Sequence, residues 1–326
     1  MIEMHLKHDW SEEDSLRKGF GRGLLEAGKT DKNVVAACAD LTESTQMNLF
    51  AEAFPERFVQ VGVAEQNLVT MAAGMAAMGK IPFVSSYAAF SPGRNWEQIR
   101  TTVCLNDRPV KIIGSHAGIS VGPDGATHQM LEDIALMRAL PNMVVIAPCD
   151  ALEAEKATMA MAKDKRPNYM RLAREATPIF TSPHTPFEIG KGYVFRVGAD
   201  VSIIATGTMT YQALEAAKLL ANKDIGAEVV HISTIKPLDE EVILASAKKT
   251  RHVVTAEEAQ VNGGLGGAVA ELLGEKLPTA MIRVGMQDRY GESGEPEELL
   301  KHFGLDGEAI AKVVQKLLTD HTNHAH

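Results

Sequence analysis

The strongest constraint on this chain is an alternation. Short runs of β-branched and apolar residues take turns with longer runs of helical period. Strand character marks residues 33–38, 58–61, 81–87, 109–113, 143–147 and 169–172. Between them, residues 12–28, 65–79, 96–105, 131–140 and 150–163 read as helices, several with apolar side chains at spacings of three and four. Apolar strands separated by helices pair in parallel, with helices on both faces of the sheet. From Ala176 to Phe187 the pattern gives way to prolines, serines and threonines, the composition of a linker. The alternation then restarts, with strands at 201–205, 227–232, 252–255 and 280–284. Helices follow at 209–222, 239–249, 265–274, 296–302 and 307–318. The expectation is an α/β chain with two open, mostly parallel sheets, each with helices on both faces. Residues 1–178 and 189–326 form the two domains, joined by a linker at 179–188.

Composition narrows the function classes. The 326 residues are 45% hydrophobic and 23% charged, as in an ordinary soluble globular protein. A net charge of −9 argues against nucleic acid as a partner, because phosphate binding needs a basic face. Cys38, Cys104 and Cys149 are odd in number and include no CxxC pair, so they read as small apolar residues of an intracellular chain. The first ten residues lack the regions of a signal peptide, and no apolar run reaches the length of a membrane span. A cytoplasmic protein with no membrane contact is expected.

Several polar groups stand out from this background. Glu65 opens the run from Val61 to Gly79, whose small residues predict a helix buried on all sides. Its plain reading is a carboxylate held by the positive end of the helix dipole. Ligands of open parallel sheets sit at the carboxyl ends of strands, which makes Asp40 and Ser44 candidates, though both residue types also favour turns. The segment Gly114 to Gln129 has four glycines and a proline, a loop whose backbone can approach a ligand closely. His116 and His128, near its ends, can converge on one pocket, and Thr127 is placed to cap the next helix. Gly19 to Gly23 fails as a dinucleotide loop because no strand precedes it. The loop Asn262 to Gly267 lacks the last glycine of that motif and reads as tight strand–helix packing. The tail from Asp320 to His326 reads as frayed.

Three segments together resemble the pyrimidine-binding domain of transketolase. They are Ala39-Asp40-Leu41-Thr42, Val63-Ala64-Glu65-Gln66-Asn67, and Ser115-His116 through Gly122-Pro123-Asp124-Gly125-Ala126-Thr127-His128-Gln129. From about Phe187 the chain resembles the same family's C-terminal domain. The related beta subunits of 2-oxo acid dehydrogenases lack the Asp-Gly-x-Thr-His-Gln arrangement, whereas 1-deoxyxylulose-5-phosphate synthases share it. Ser115-His116-Ala117-Gly118 and Ser91 through Trp96 are similar to the C-terminal subunit of two-chain, or split, transketolases.

This resemblance implies thiamine diphosphate as cofactor and assigns roles. Glu65 matches the glutamate that shares a proton with the cofactor's aminopyrimidine ring, the contact that activates it. Phe90 matches the aromatic stacked on that ring. Two further aromatic positions hold Gly93 and Trp96, which leaves Trp96 as the candidate for the rest of the wall. Asp40 matches a residue lining the site. His116 and His128 match histidines that contact substrate oxygens, a role suited to imidazole near neutral pH. Asp124 matches an aspartate bonded to a donor hydroxyl. Arg17, Ser44 and Arg174 fall where the family binds the sugar phosphate, work suited to guanidinium and hydroxyl donors.

The family holds the cofactor's diphosphate through a metal-binding Gly-Asp-Gly motif, and this sequence contains no Gly-Asp-Gly. The resemblance therefore implies half an active site. Mg²⁺ ligands are expected from a separate N-terminal subunit carrying the diphosphate-binding domain, and this chain is expected to self-associate into a dimer within a two-plus-two assembly. The implied reaction transfers a two-carbon ketol unit from a ketose phosphate, such as xylulose 5-phosphate, to an aldose phosphate. A subunit of a 1-deoxyxylulose-5-phosphate synthase-like enzyme and a catalytically silent binding subunit are the alternatives.

Overall fold

The structure, a computed structural model, describes residues 6–322. The first half runs β1 (Glu13–Ser15), α1 (Leu16–Thr30), β2 (Val34–Cys38), α2 (Asn48–Ala53), β3 (Phe58–Gln60), α3 (Glu65–Ala77) and β4 (Ile81–Tyr87). It continues through α4 (Trp96–Gln98), β5 (Lys111–Ser115), α5 (Asp133–Arg138), β6 (Val144–Ile146), α6 (Ala151–Lys163), β7 (Asn168–Arg171) and β8 (Ala176–Pro178). The second half runs β9 (Tyr193–Arg196), β10 (Val201–Ala205), α7 (Met209–Ala221), β11 (Ala227–His231), β12 (Thr234–Lys236) and α8 (Glu240–Thr250). It ends with β13 (His252–Gln260), α9 (Leu265–Lys276), β14 (Ala280–Met286), α10 (Pro296–His302) and α11 (Gly307–Thr322).

Seven strands form one sheet in the order β12-β6-β7-β5-β4-β2-β3, parallel throughout except where β12 meets β6. Five form a second sheet, β14-β13-β10-β11-β9, in which only β9 is antiparallel. The two-sheet α/β architecture is the one the alternation predicts. Strands such as β2, β5 and β6 are buried at every position, as parallel strands covered on both faces must be. The short strands β1, β8, β9 and β12 carry too few residues to show a period, and the sequence reading missed them. Of these, β12 crosses back from the second half to close the edge of the first sheet.

Other differences have local causes. Residues 13–15 are not helical, because they pair antiparallel with Ala176–Pro178; the Ser15 hydroxyl then caps α1 by accepting from Lys18 N at 3.3 Å. Gly19 to Gly23 lies inside that helix. Strand β3 lies at the sheet edge and is only half-buried. Helix α3 buries Leu68, Val69, Ala72, Ala73 and Ala76, but Gln66, Asn67, Thr70, Gly74 and Ala77 are exposed, so it is not buried on all sides. Thr127 caps nothing: the next helix begins only at Asp133, and the Thr127 hydroxyl bonds within its own loop.

The segment expected as a linker is pinned at its start. Phe180 is fully buried, and Asp150 accepts from the main-chain N–H of Thr181 at 2.7 Å and from its hydroxyl at 2.8 Å. Helix α11 continues through Thr322, past the start of the expected frayed tail, whose residues 323–326 lie outside the described residues. All three cysteines are free and buried. Among the described residues, no helix is long and apolar enough to cross a membrane.

Candidate active site

The carboxyl ends of β2, β4, β5 and β7 open on one side of the first sheet. Ser44 follows β2, Tyr87 ends β4, His116 follows β5 and Arg174 follows β7. At their centre lies a cluster of rings. Tyr87 stacks on His116 with centroids 3.9 Å apart and lies 6.1 Å from Phe90, nearly parallel to it. His128 meets both rings edge-on, at 6.4 Å from Tyr87 and 5.5 Å from Phe90. The two histidines of the glycine-rich loop do converge, therefore, with Tyr87 between them. His116 is buried, and its Nδ1 shares a hydrogen bond with Ser115 Oγ at 2.8 Å. Burial first, then the positive charges of Arg17 and Arg174, push its pKa down to about 3, so the ring is neutral across the physiological range.

The three residues expected at the phosphate also meet. Arg17 donates from Nε and Nη2 to the carbonyl of Arg174, at 3.0 and 2.7 Å, and from Nη1 to the carbonyl of Ser44 at 2.7 Å. Three of its five N–H groups are thus committed to main chain, and two remain. Ser44 Oγ bonds the Tyr87 hydroxyl at 2.7 Å, and Arg174 Nη1 donates to the Val121 carbonyl at 2.7 Å. Arg17 acts as a clip that joins two strand ends, with spare donors for an anion.

Glu65, the first residue of α3, is 2% exposed. Its carboxylate accepts from Arg94 Nη1 at 2.9 Å, and its main-chain carbonyl accepts from the buried Asn95 side chain at 2.9 Å. The Arg94 guanidinium also lies 4.5 Å from the centre of the Phe90 ring. The aminopyrimidine of thiamine diphosphate needs a carboxylate to bond a ring nitrogen and an aromatic face to stack on. A planar guanidinium already takes both places, so Glu65 and Phe90 fit that group. The sequence reading overlooked Arg94, Asn95 and Tyr87. Only Tyr87, the last residue of a strand at the ligand-binding edge, carried a usable signal.

Trp96 is placed differently from its neighbours. Its indole N–H donates to the Leu136 carbonyl at 2.9 Å and its ring packs on the core; among the described residues it has no ring contact with Phe90 or Tyr87. Asp40 is exposed in a left-handed conformation (φ 62°), its main-chain N–H bonded to Gln60. Asp124 is exposed on the loop that carries His128.

Other parts of the molecule offer less. At the loop Asn262 to Gly267, buried Glu257 accepts from the N–H groups of Leu265 and Gly266, at 2.7 Å each, so the chain's own carboxylate fills the place of a phosphate. Burial pushes that carboxyl up to about 7. A cavity of about 680 Å³ beside Glu258 is lined by Glu13, Glu175, Glu295, Glu297 and Glu298 as well, a poor setting for a phosphate ester. Cys149, Glu153 and His231 come close enough to suggest metal ligands, but they are fully buried and Glu153 is spent on His231 Nε2 at 2.8 Å.

Comparison with known proteins identifies the family of the chain. Residues 13–179 match the family described as transketolase, pyrimidine binding domain, and residues 190–310 match transketolase, C-terminal domain. The chain is 49% identical over 304 residues to the putative transketolase C-terminal section of Methanocaldococcus jannaschii, covering 92% of this chain and 95% of that protein. It is 42% identical over 316 residues to the 6-deoxy-6-sulfo-D-fructose transketolase subunit of Clostridium sp. (strain MSTE9), covering 97% of each. A solved structure described as a split gene transketolase, inactive beta4 tetramer, superposes with a TM-score of 0.88 at 46% identity, over 94% of this chain and 98% of that one. Human transketolase is 35% identical, but the chain spans only 49% of its length. With both domains matched in order, and with relatives matched over nearly their whole length, the chain belongs to the transketolase family.

Proposed function

We propose that this chain is the pyrimidine-binding half of a two-chain transketolase that moves a two-carbon ketol unit from a ketose phosphate to an aldose phosphate. Family membership implies dependence on thiamine diphosphate. The observation that carries the proposal is the chain of contacts that runs from buried Glu65 through Arg94 and Phe90 to Tyr87, His116 and His128, and on to the Arg17–Ser44–Arg174 group. When bound, the cofactor supplies a carbon nucleophile and an electron sink.

The chain's residues do the rest. Glu65 shares a proton with the ring nitrogen, and Phe90 takes the ring's face once Arg94 moves aside. His116, a neutral imidazole, and His128 move protons at the substrate hydroxyls. Asp124 holds a donor hydroxyl, Asp40 lines the opening, and Arg174, Ser44 and the spare donors of Arg17 hold the phosphate. Trp96 belongs to the packing beneath this site rather than to its wall.

Mg²⁺ and the diphosphate are assigned to an N-terminal partner subunit. The exposed face of α3, with Val63 71% and Met78 84% exposed nearby, is the surface we assign to that partner and to a second copy of this chain. A similar chain described as an inactive beta4 tetramer supports the view that the chain alone is incomplete. Relatives named for sulfo-fructose and for apulose 4-phosphate leave the sugar open. The second reading, a deoxyxylulose phosphate synthase-like subunit, draws on relatives at 38% identity over 306 residues.

The test pairs the chain with an N-terminal subunit and supplies ribose 5-phosphate with either xylulose 5-phosphate or pyruvate. Ketol transfer from xylulose 5-phosphate, lost by at least about 100-fold in Glu65→Ala, supports the proposal. Carbon dioxide release from pyruvate supports the second reading, and unchanged rates in Glu65→Ala remove Glu65 from its role.

A further inference from the structure

The loop from His116 to Gln129 carries three candidate substrate groups. The sequence predicts that its glycines let the backbone approach a ligand; the structure sets them against the second half of the chain instead. A Cβ on Gly118 (φ 90°) would lie 2.3 Å from Glu258 Oε1, and one on Gly125 would lie 2.4 Å from Ser293 Oγ. The relation is also reciprocal: a Cβ on Gly291 would lie 2.0 Å from Gln129 Oε1. A side chain at any of the three would displace its neighbour, and the positive φ of Gly118 and Gly125 favours glycine besides.

Two buried side chains hold the halves together at these points. Glu258, on β13 and 3% exposed, accepts from the main-chain N–H of Ser120 at 2.7 Å and from the Thr208 hydroxyl at 3.1 Å. One carboxylate oxygen is anchored at the start of α7 and the other fixes the direction of a loop N–H. Gln129, also 3% exposed, donates to the Glu292 carbonyl at 2.8 Å and to the Ile119 carbonyl at 3.1 Å. A carboxylate is costly to bury, and one directed at a loop amide sets the dihedrals on both sides of it. The two anchors bracket Asp124, and Gln129 is adjacent to His128.

We infer that the second half of the chain is the template for the substrate loop, with Glu258 and Gln129 as positioning residues for Asp124 and His128. The kinetic consequence rests on the ketol-transfer reading; the hold on the loop does not. Amide hydrogen exchange on the full chain reads that hold. Glu258→Ala should speed exchange roughly tenfold within residues 118–129, with exchange in the second sheet unchanged.

In the assembled enzyme the same variant should lower kcat/KM for xylulose 5-phosphate roughly tenfold or more while the Kd for thiamine diphosphate stays constant. Glu258→Gln, which keeps an acceptor for Ser120, should recover most of both effects. Unchanged loop exchange, faster exchange throughout the second sheet, or a mobile loop with normal kcat/KM would each overturn the inference. If the wild-type pair transfers no ketol unit, the functional reading falls and the exchange pattern alone decides whether Glu258 holds the loop.

Discussion

Arg94 donates to Glu65 at 2.9 Å while Glu65 is 2% exposed and the Arg94 side chain is 50% exposed. The same guanidinium covers Phe90. One half-exposed cation therefore engages both groups that we propose hold the aminopyrimidine. A half-exposed ion pair of this kind contributes about 0.5–1 kcal/mol, enough to compete with a ligand without excluding it.

Arg94→Gln removes that competitor. In the assembled enzyme it should tighten thiamine diphosphate binding by about two- to fivefold, measured by titration calorimetry. Weaker binding by a similar factor would make Arg94 part of the cofactor's own site.

Tyr87 joins His116, on which it stacks, to Ser44, to which it is bonded. Tyr87→Ala should raise the KM for the ketose donor about tenfold, because His116 loses the ring that fixes it. Tyr87→Phe keeps the stack and loses one hydrogen bond, so its KM should change by no more than about threefold. Equal effects from both changes would place the function of Tyr87 in its hydroxyl.

His116 predicts a specific acid sensitivity. Its pKa falls from 6.5 to about 3 on folding, so the unfolded chain binds the proton first as pH drops. Stability associated with the neutral ring is therefore present above pH 6.5 and lost progressively toward pH 3. Urea unfolding at pH 7 and pH 5 should show the wild type losing on the order of 1 kcal/mol more than His116→Asn. Equal losses in the two proteins would mean that His116 does not carry this penalty.

Continuous apolar runs were legible: β4 and β10 lie at the boundaries expected from sequence. Strands β1, β8, β9 and β12 were not, because pairing across the fold, rather than local pattern, makes them strands. The glycines of the His116–Gln129 loop show a similar limit. Their spacing revealed a special backbone, but not that Glu258, more than a hundred residues away, is what they approach. Arg94 was hidden for the opposite reason. Nothing about an arginine in a Pro-Gly-Arg turn announces that it reaches a carboxylate 29 positions earlier.

The central claim is that Glu65 belongs to half a site. The most direct measurement compares transketolase turnover of the purified chain, saturated with thiamine diphosphate and Mg²⁺, with and without an N-terminal subunit bearing Gly-Asp-Gly. We expect no measurable ketol transfer from the chain alone and sustained turnover from the pair. Robust turnover by the chain alone would contradict the account.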